Sequence, residues 1–198
     1  MNADTKDCST PIGPVFLTRE DIARRIEEIG RDITNDYRGK NLLLLSVLKG
    51  AVIFMADLAR AVDLPLEMEY LAITSYQQDH DDPHHRTIRI TKDIAHPLHN
   101  KDVLIVEDII DTGLTLYYIL RFLAAKEPRS LEVCTFLDRP YRRLVDIDVR
   151  YTGFTVPDTF FVGYGFDFRQ RSRQRAGRHR DATGHGKQRI VGGRLEED

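Results

Sequence analysis

The sequence V-L-I-V-E-D-I-I-D-T-G-L-T, from Val103 to Thr115, decides the fold of the chain. Its first four residues are apolar, too few for a helix, and rich in Val and Ile, which predicts a strand buried on both faces. The run from Leu116 to Ala125 then predicts a helix. Because open α/β sheets bind ligands at the carboxyl ends of their strands, we expect a ligand site in this strand-to-helix turn.

The residue types in this turn favour a ligand with phosphate at one end and a ribose in the middle. Gly113 permits a tight turn, and the first helical amides, together with the hydroxyls of Thr112 and Thr115, would form a phosphate cradle. No Lys follows the glycine, so the turn is not a nucleoside-triphosphate loop. Glu107 and Asp108 would repel phosphate, and we expect them to face sugar hydroxyls, a Mg²⁺ ion or developing positive charge.

The segment E-D-I-I-D-T-G, from Glu107 to Gly113, resembles the phosphoribosyl pyrophosphate (PRPP) motif of the purine phosphoribosyltransferases, in the form typical of the hypoxanthine-guanine branch. The resemblance implies that Glu107 and Asp108 hold the ribose hydroxyls and a Mg²⁺ ion. It implies that Asp111 is the base at the imidazole ring of the purine. The 5′-phosphate would be bound by Asp111, Thr112, Gly113 and Thr115.

A second apolar run, Leu42 to Val47, predicts a strand that leads into Leu48-Lys49-Gly50. A Lys-Gly pair alone indicates only a turn. In the family, Leu-Lys-Gly at this place binds pyrophosphate, and the peptide bond before the Lys is cis. The resemblance therefore implies a cis bond between Leu48 and Lys49, and pyrophosphate contacts from Lys49, Gly50 and Arg173.

The segment after a third predicted strand, Leu66 to Ile73, resembles the family's active-site lid. Ser75 and Tyr76 match the Ser-Tyr at the base of that lid, and residues 77–86 are very polar, as a solvated loop should be. The His and Asp residues of this loop also admit a metal site. We favour the lid, because no ordered scaffold for a metal is evident there.

A fourth predicted strand, Leu131 to Leu137, ends at Asp138-Arg139-Pro140. Bacterial members of the family have a Lys at the position of Arg139, which donates to the 6-oxo group of the purine. Arginine keeps the donor but is bulkier and planar. Residues 156–168, V-P-D-T-F-F-V-G-Y-G-F-D-F, resemble a further family segment. There the resemblance implies stacking of Phe160 on the purine, backbone contacts from Phe161, and a metal contact from Asp167.

Helical spacing is clearest near the N-terminus. Thr18 and Asp21 resemble a capping box, and isoleucines at positions 22, 26, 29 and 33 repeat at helical intervals to about Tyr37. A second helix is predicted over residues 52–62.

The bulk composition is that of an ordinary globular protein. The 198 residues suit one domain, with 41% hydrophobic and 30% charged residues and a net charge of −2. No apolar run has the length of a membrane span, and the two cysteines lie far apart, which favours a reduced, cytoplasmic setting. We expect neither a membrane nor nucleic acid as a partner, and a homodimer or homotetramer in solution.

The chain end departs from the family pattern. From Arg169 onward nine Lys or Arg face four Asp or Glu, and few residues are aliphatic. Such a composition cannot bury a core face. We therefore predict a disordered N-terminus over residues 1–15, a phosphoribosyltransferase domain over 16–173, and an atypical, disordered tail over 174–198.

The predicted fold is α/β, the type I phosphoribosyltransferase fold, with a twisted parallel sheet flanked by helices and a small hood. The implied reaction is the Mg²⁺-dependent transfer of 5-phosphoribosyl from PRPP to hypoxanthine or guanine. Two alternatives are a PRPP-binding regulator without turnover and an enzyme impaired by its altered C-terminus. Asp111, Lys49, Asp167 and Arg173 together disfavour the regulator, because a sensor needs only the phosphate loop.

Overall fold

The computed structural model describes residues 12–77, 86–166, 173 and 178–181. The helices are α1 (Arg19–Asp36), α2 (Val52–Ala61) and α3 (Leu114–Ala124), and a short 3₁₀ turn covers Pro140–Arg142. The strands are β1 (Ile12–Leu17), β2 (Leu42–Leu48), β3 (Glu67–Gln77), β4 (Arg86–Lys92), β5 (Asp102–Ile110), β6 (Ser130–Asp138), β7 (Tyr151–Thr155), β8 (Phe161–Val162) and β9 (Arg178–Asp181).

The main sheet has six strands in the order β4-β3-β2-β5-β6-β7. All neighbours are parallel except β4, which is antiparallel to β3 at one edge. The four strands predicted from three apolar runs and one alternating segment are the four central ones, and β5 lies between β2 and β6. This architecture confirms the predicted α/β fold with a parallel sheet flanked by helices.

Each face of the sheet is covered by a different set of helices. Leu44, Leu104 and Val106 pack in one cluster with the apolar sides of α1 and α2. Their sequence neighbours Leu43 and Ile105 pack in a second cluster with α3. Successive strand residues point to opposite faces, so a strand between two helical layers has to be apolar at every position. That is why β2 and β5 each contain a continuous apolar run, Leu42 to Leu45 and Val103 to Val106.

Helix α1 begins where the capping box predicts. Thr18 Oγ1 accepts a hydrogen bond from the Asp21 backbone amide at 3.1 Å, and an Asp21 carboxylate oxygen accepts from the Thr18 amide at 3.3 Å. The four isoleucines of the helical pattern are all buried: Ile22, Ile26, Ile29 and Ile33. The pattern therefore identified both the start of the helix and its buried side.

A second, three-stranded sheet has the order β1-β9-β8 and forms the predicted hood. Two predictions about the chain ends are wrong at particular positions. Residues 12–15, expected to be disordered, belong to β1, and residues 178–181 of the expected tail form β9 between β1 and β8. Strand pairing uses backbone groups, so it does not need the apolar side chains that the tail lacks. The remaining residues of both ends lie outside the described part of the chain.

A third correction concerns the acid pair. Glu107 and Asp108 lie within β5, which continues to Ile110, and not in the turn that follows. Pairing with β6 extends this far, as Ile109 opposes Leu137 and Ile110 opposes Asp138. Within the described ranges, no helix combines the length and apolar character needed to cross a membrane.

Candidate active site

The end of β5 and the start of α3 enclose a cavity of about 250 Å³. Its lining contains all six residues that the sequence assigned to the ribose and the 5′-phosphate, Glu107, Asp108, Asp111, Thr112, Gly113 and Thr115. The strand presents the carboxylates, and the helix begins directly behind the turn. The structure thus brings these residues together in one crevice at the carboxyl end of the central strand.

The turn between β5 and α3 exposes free backbone amides. Gly113 has a left-handed backbone, with φ of +81°, and α3 starts at the next residue without a side-chain cap. The first helical hydrogen bond is donated by the Tyr117 amide to the Gly113 carbonyl at 2.8 Å. The preceding amides of the first turn therefore have no partner within the helix, and together with the helix dipole they favour an anion.

The back of this turn is closely packed. A Cβ on Gly113 would lie 2.9 Å from Arg143 Cδ and 2.9 Å from Ile147 Cδ1, nearer than such atoms approach. The Leu144 amide donates to the Thr112 carbonyl at 2.9 Å. The segment after β6 thus holds the turn from behind and leaves its amide side towards the cavity.

The acid pair carries an electrostatic cost. Burial, and secondarily the neighbouring charge of Asp108, raises the pKa of Glu107 well above its usual range. A cation beside the two carboxylates would offset this cost. Mg²⁺ suits the pair, because it commonly binds one or two carboxylates together with substrate oxygens. Among the described residues no group of three or more potential metal ligands occurs. A Mg²⁺ ion held here would therefore take its remaining ligands from substrate and water.

The loop after β2 lies against the acid pair. The peptide bond between Leu48 and Lys49 is cis, as predicted. A Cβ on Gly50 would overlap the Asp108 carboxylate, and a Cβ on Gly165 would overlap the Gly50 carbonyl oxygen. Only glycine fits at either position, so three chain segments approach one another more closely than side chains would allow.

Arg173 is hydrogen-bonded to Gly165, one of these two glycines. Its Nη1 donates to the Gly165 carbonyl at 2.6 Å, and the Gly165 amide donates to the Arg173 carbonyl at 3.0 Å. The sequence assigned Lys49, Gly50 and Arg173 to pyrophosphate, and Gly165 links the last two of them. Lys49, which precedes Gly50, is exposed. Their role with pyrophosphate stays a prediction.

The predicted purine side is built by the end of β6 and the start of β8. Arg139 is buried, at 8% exposure, and its guanidinium donates to the Thr159 carbonyl and lies 5.8 Å from the centre of the Phe161 ring. Phe160 is 46% exposed, which suits a stacking surface. The Phe161 ring instead packs into the core, 5.0 Å from Phe16. The contact of the Phe161 backbone with the purine stays a prediction.

Two site residues were missed by the sequence analysis, Arg142 and Asp158. Arg142 Nε lies 2.9 Å from Asp111 Oδ1, and its Nη1 donates to Asp158 Oδ1 at 2.8 Å. The only available signal was their location, since both follow segments that end near the predicted site. Their pairing depends on the tertiary structure.

The remaining predicted site residues lie at the end of β3 or outside the described part of the chain. Ser75 and Tyr76 lie near the carboxyl end of β3. The lid residues 78–85, with the alternative metal site, lie outside the described residues, as does Asp167. Their roles stay predictions.

Comparison with known proteins agrees with this geometry. The model of the phosphoribosyl transferase domain matches residues 16–169. Over 168 residues the chain is 47% identical to a hypoxanthine-guanine phosphoribosyltransferase of Mycobacterium avium, covering 82% of both chains. It is 44% identical to a hypoxanthine phosphoribosyltransferase of Salmonella typhimurium over 161 residues, covering 80% of this chain and 89% of the relative.

Solved structures of the same kind superpose on the fold. A hypoxanthine phosphoribosyltransferase from Staphylococcus aureus matches with a TM-score of 0.80 at 39% identity, covering 85% of this chain and 91% of that one. The enzyme from Trypanosoma cruzi matches with a TM-score of 0.78 at 33% identity, covering 86% and 97%. The chain therefore belongs to the phosphoribosyltransferase family, in its hypoxanthine-guanine branch.

Proposed function

We propose that the protein transfers the 5-phosphoribosyl group of PRPP to hypoxanthine or guanine, giving IMP or GMP and pyrophosphate. The observation that carries this proposal is the cavity at the end of β5, where three carboxylates lie beside the free amides of a helix start. Such a cavity suits a sugar flanked by phosphate. The relatives at 42–47% identity that are named for hypoxanthine and guanine support the purine as acceptor.

PRPP would lie across the ends of β2 and β5. The turn Asp111 to Gly113 with Thr115 would take the 5′-phosphate, because the amides at the start of α3 attract an anion. The pyrophosphate would lie at the opposite end, between Lys49, Gly50 and Arg173. The ribose then falls beside Glu107 and Asp108, whose carboxylates can accept hydrogen bonds from its hydroxyls.

Glu107 and Asp108 are also the residues that would hold Mg²⁺. When bound, this ion supplies charge neutralisation for the departing pyrophosphate. The two carboxylates themselves would stabilise the positive charge that develops on the sugar as the bond to pyrophosphate breaks. Asp111 would accept the ring proton of the purine as the base attacks.

The purine would bind between Arg139 and Phe160. Arg139 offers guanidinium hydrogens, so it can donate to the 6-oxo group of hypoxanthine or guanine but has no acceptor for the 6-amino group of adenine. The half-exposed Phe160 would stack on the ring. Both contacts favour a 6-oxopurine.

The proposal is tested by a spectroscopic assay of the purified protein with PRPP and each base in turn. We expect Mg²⁺-dependent turnover of hypoxanthine or guanine. Adenine should be rejected, because Arg139 can donate to a 6-oxo group but cannot accept from a 6-amino group. Xanthine is measured in the same series. Binding of PRPP without turnover of any base would instead favour the PRPP-binding regulator.

Asp111→Asn removes a proton acceptor while it keeps the shape of the side chain. We expect turnover to fall by about 10²- to 10⁴-fold, the usual contribution of a general base. PRPP affinity, measured by titration calorimetry, should change much less. The matched control is Asp32→Asn, at an exposed position on α1, which should leave turnover unchanged. Turnover of Asp111→Asn within a few-fold of the unmodified protein would show that Asp111 is not the base.

Arg139→Lys introduces the residue that the family resemblance implies at this position. Because the change is confined to the 6-oxo end of the purine site, we expect an altered KM for the base and an unchanged affinity for PRPP. Steady-state kinetics with hypoxanthine and guanine measure the first quantity, and calorimetry the second. Identical base kinetics in the two proteins would place Arg139 outside the purine contacts.

Gly165→Ala tests the close approach of the pyrophosphate segments. The new Cβ would overlap the Gly50 carbonyl oxygen, so we expect PRPP to bind about tenfold or more weakly, a loss of about 1.4 kcal/mol. Gly39→Ala is the control, because Gly39 also has a left-handed backbone but has open space at its Cβ. Both variants should lose about 1–3 kcal/mol of unfolding free energy to backbone strain. Equal PRPP affinities in the two variants would contradict the role assigned to this contact.

A further inference from the structure

We propose that Arg142 is a positioning residue for Asp111: it holds one carboxylate oxygen, directs the other towards the purine, and links this orientation to the hood through Asp158. The inference rests on the proposed function, in which Asp111 accepts the purine proton. It concerns a residue that has no part in the PRPP contacts described above.

Arg142 is well placed for such a role by the local backbone. It closes the 3₁₀ turn Pro140–Arg142 that follows β6, and its amide donates to the Arg139 carbonyl at 3.0 Å. Pro140 fixes the first residue of this turn, since its ring restricts φ. The turn therefore starts from the rigid end of a central strand, directly beside the end of β5.

The two ends of the guanidinium contact different parts of the protein. Nε lies 2.9 Å from Asp111 Oδ1, at the end of the main sheet. Nη1 donates to Asp158 Oδ1 at 2.8 Å, in the segment that leads into β8 of the hood. A planar guanidinium can serve two carboxylates at once, whereas a lysine ammonium acts as a single point charge. Arg142 thus bridges Asp111 and the hood.

The two oxygens of Asp111 are not equivalent. Oδ1 is buried, and among the described residues it has the Arg142 ion pair but no well-aligned hydrogen bond. The side chain as a whole is 36% exposed, so the exposed part of the carboxylate is Oδ2. Arg139 Nη1 lies 3.8 Å from Oδ2, beyond hydrogen-bond distance, and no hydrogen bond to Oδ2 is found among the described residues. Oδ2 is therefore the oxygen that is open to a purine N–H.

Arg139 cannot replace Arg142 in this role. Arg139 is buried, and its guanidinium already donates to the Thr159 carbonyl. It lies 3.8 Å from Asp111 and 3.9 Å from Asp158, so it contributes charge without fixing the position of either carboxylate. Without Arg142, Asp111 would keep a positive neighbour but lose the contact that sets its rotation.

An ordinary surface ion pair would have little effect. Exposed pairs commonly contribute little or nothing measurable to stability. Arg142 is 40% exposed, but the Asp111 oxygen that it contacts is buried, and it joins two separate carboxylates. With one carboxylate oxygen held and the other open, Asp111 is oriented as a proton acceptor. Small losses of such alignment reduce rates strongly.

The test compares the full-length protein with Arg142→Gln. Steady-state kinetics with hypoxanthine and PRPP give kcat and both KM values, calorimetry gives PRPP affinity, and thermal unfolding gives Tm. We expect kcat to fall by about 10- to 100-fold, because Asp111 loses its alignment. PRPP affinity and Tm should stay close to those of the unmodified protein. Arg24→Gln, an exposed ion-paired residue on α1, is the control and should change none of these quantities.

Two further variants separate positioning from a general loss of charge. Arg142→Lys keeps the charge but can hold only one carboxylate, so it should recover part of the lost kcat. Asp158→Asn removes the hood end of the bridge and should lower kcat less than Arg142→Gln does. The double variant should be no slower than Arg142→Gln alone, because both changes break the same link.

The outcomes distinguish this inference from the proposed function. If the unmodified protein turns over no base, the proposed function fails. If it is active and Arg142→Gln has an unchanged kcat, the positioning role is overturned. A lower KM for hypoxanthine with unchanged kcat would show that Arg142 competes with the purine, which also overturns the role. A parallel loss of kcat, PRPP affinity and Tm would identify Arg142 as a support of the fold.

Discussion

The parallel pairing of β5 between β2 and β6 is the constraint on which the site depends. Ser46 of β2 opposes Val106 of β5, and Val106 opposes Cys134 of β6. This register brings the ends of three strands to one edge of the sheet. The loop with Lys49, the acid pair and Arg139 then lie side by side, although they are far apart in the sequence. A shift of one residue would exchange the two faces of β5 and move its carboxylates away from the loop.

The register is enforced by burial on both faces. The four residues from Val103 to Val106 are each 0% exposed, and alternate ones contact α1 with α2 or α3. Burial of each such side chain stabilises the fold by about 1.5–3 kcal/mol. Any slip would therefore remove apolar contacts on both sides at once. The same apolar pairing that makes the core also fixes the positions of the polar groups just beyond it.

The sequence predicted the central elements because their signals are local. Apolar runs identified β2, β5 and β6, an alternating pattern identified β3, and isoleucine spacing with a capping box identified α1. Strand β7 was not predicted, because Tyr151–Thr155 alternates Gly and Thr with aromatic residues and has no apolar run. The carboxyl-terminal end of β5 was assigned to a turn because Glu107 and Asp108 are polar. Pairing with β6 keeps both residues in the strand.

The remaining features depend on contacts between distant segments. Strand β9 pairs through its backbone with β1 and β8, so the charged composition of the tail gave no sign of it. The overlap that a Cβ on Gly50 would make with Asp108 cannot be read from either segment alone. The contact of Arg142 with Asp111 is of the same kind. In each case the sequence shows the residue types, but which residues contact each other depends on the tertiary structure.

The site separates charges in a way that suits a sugar with a phosphate at one end and a pyrophosphate at the other. Carboxylates occupy its centre, at Glu107 and Asp108, where phosphate would be repelled. In the proposed function, anion-binding groups stand at the two ends, the amides after Gly113 on one side and Lys49 with Arg173 on the other. A phosphate shifted towards the centre would meet negative charge, while one at either end meets donors. In the proposed function this charge pattern would set the register of the ligand before any base contact forms. The arginines near Asp111 would then act on the acceptor alone, so purine recognition could vary while the phosphate contacts stay the same.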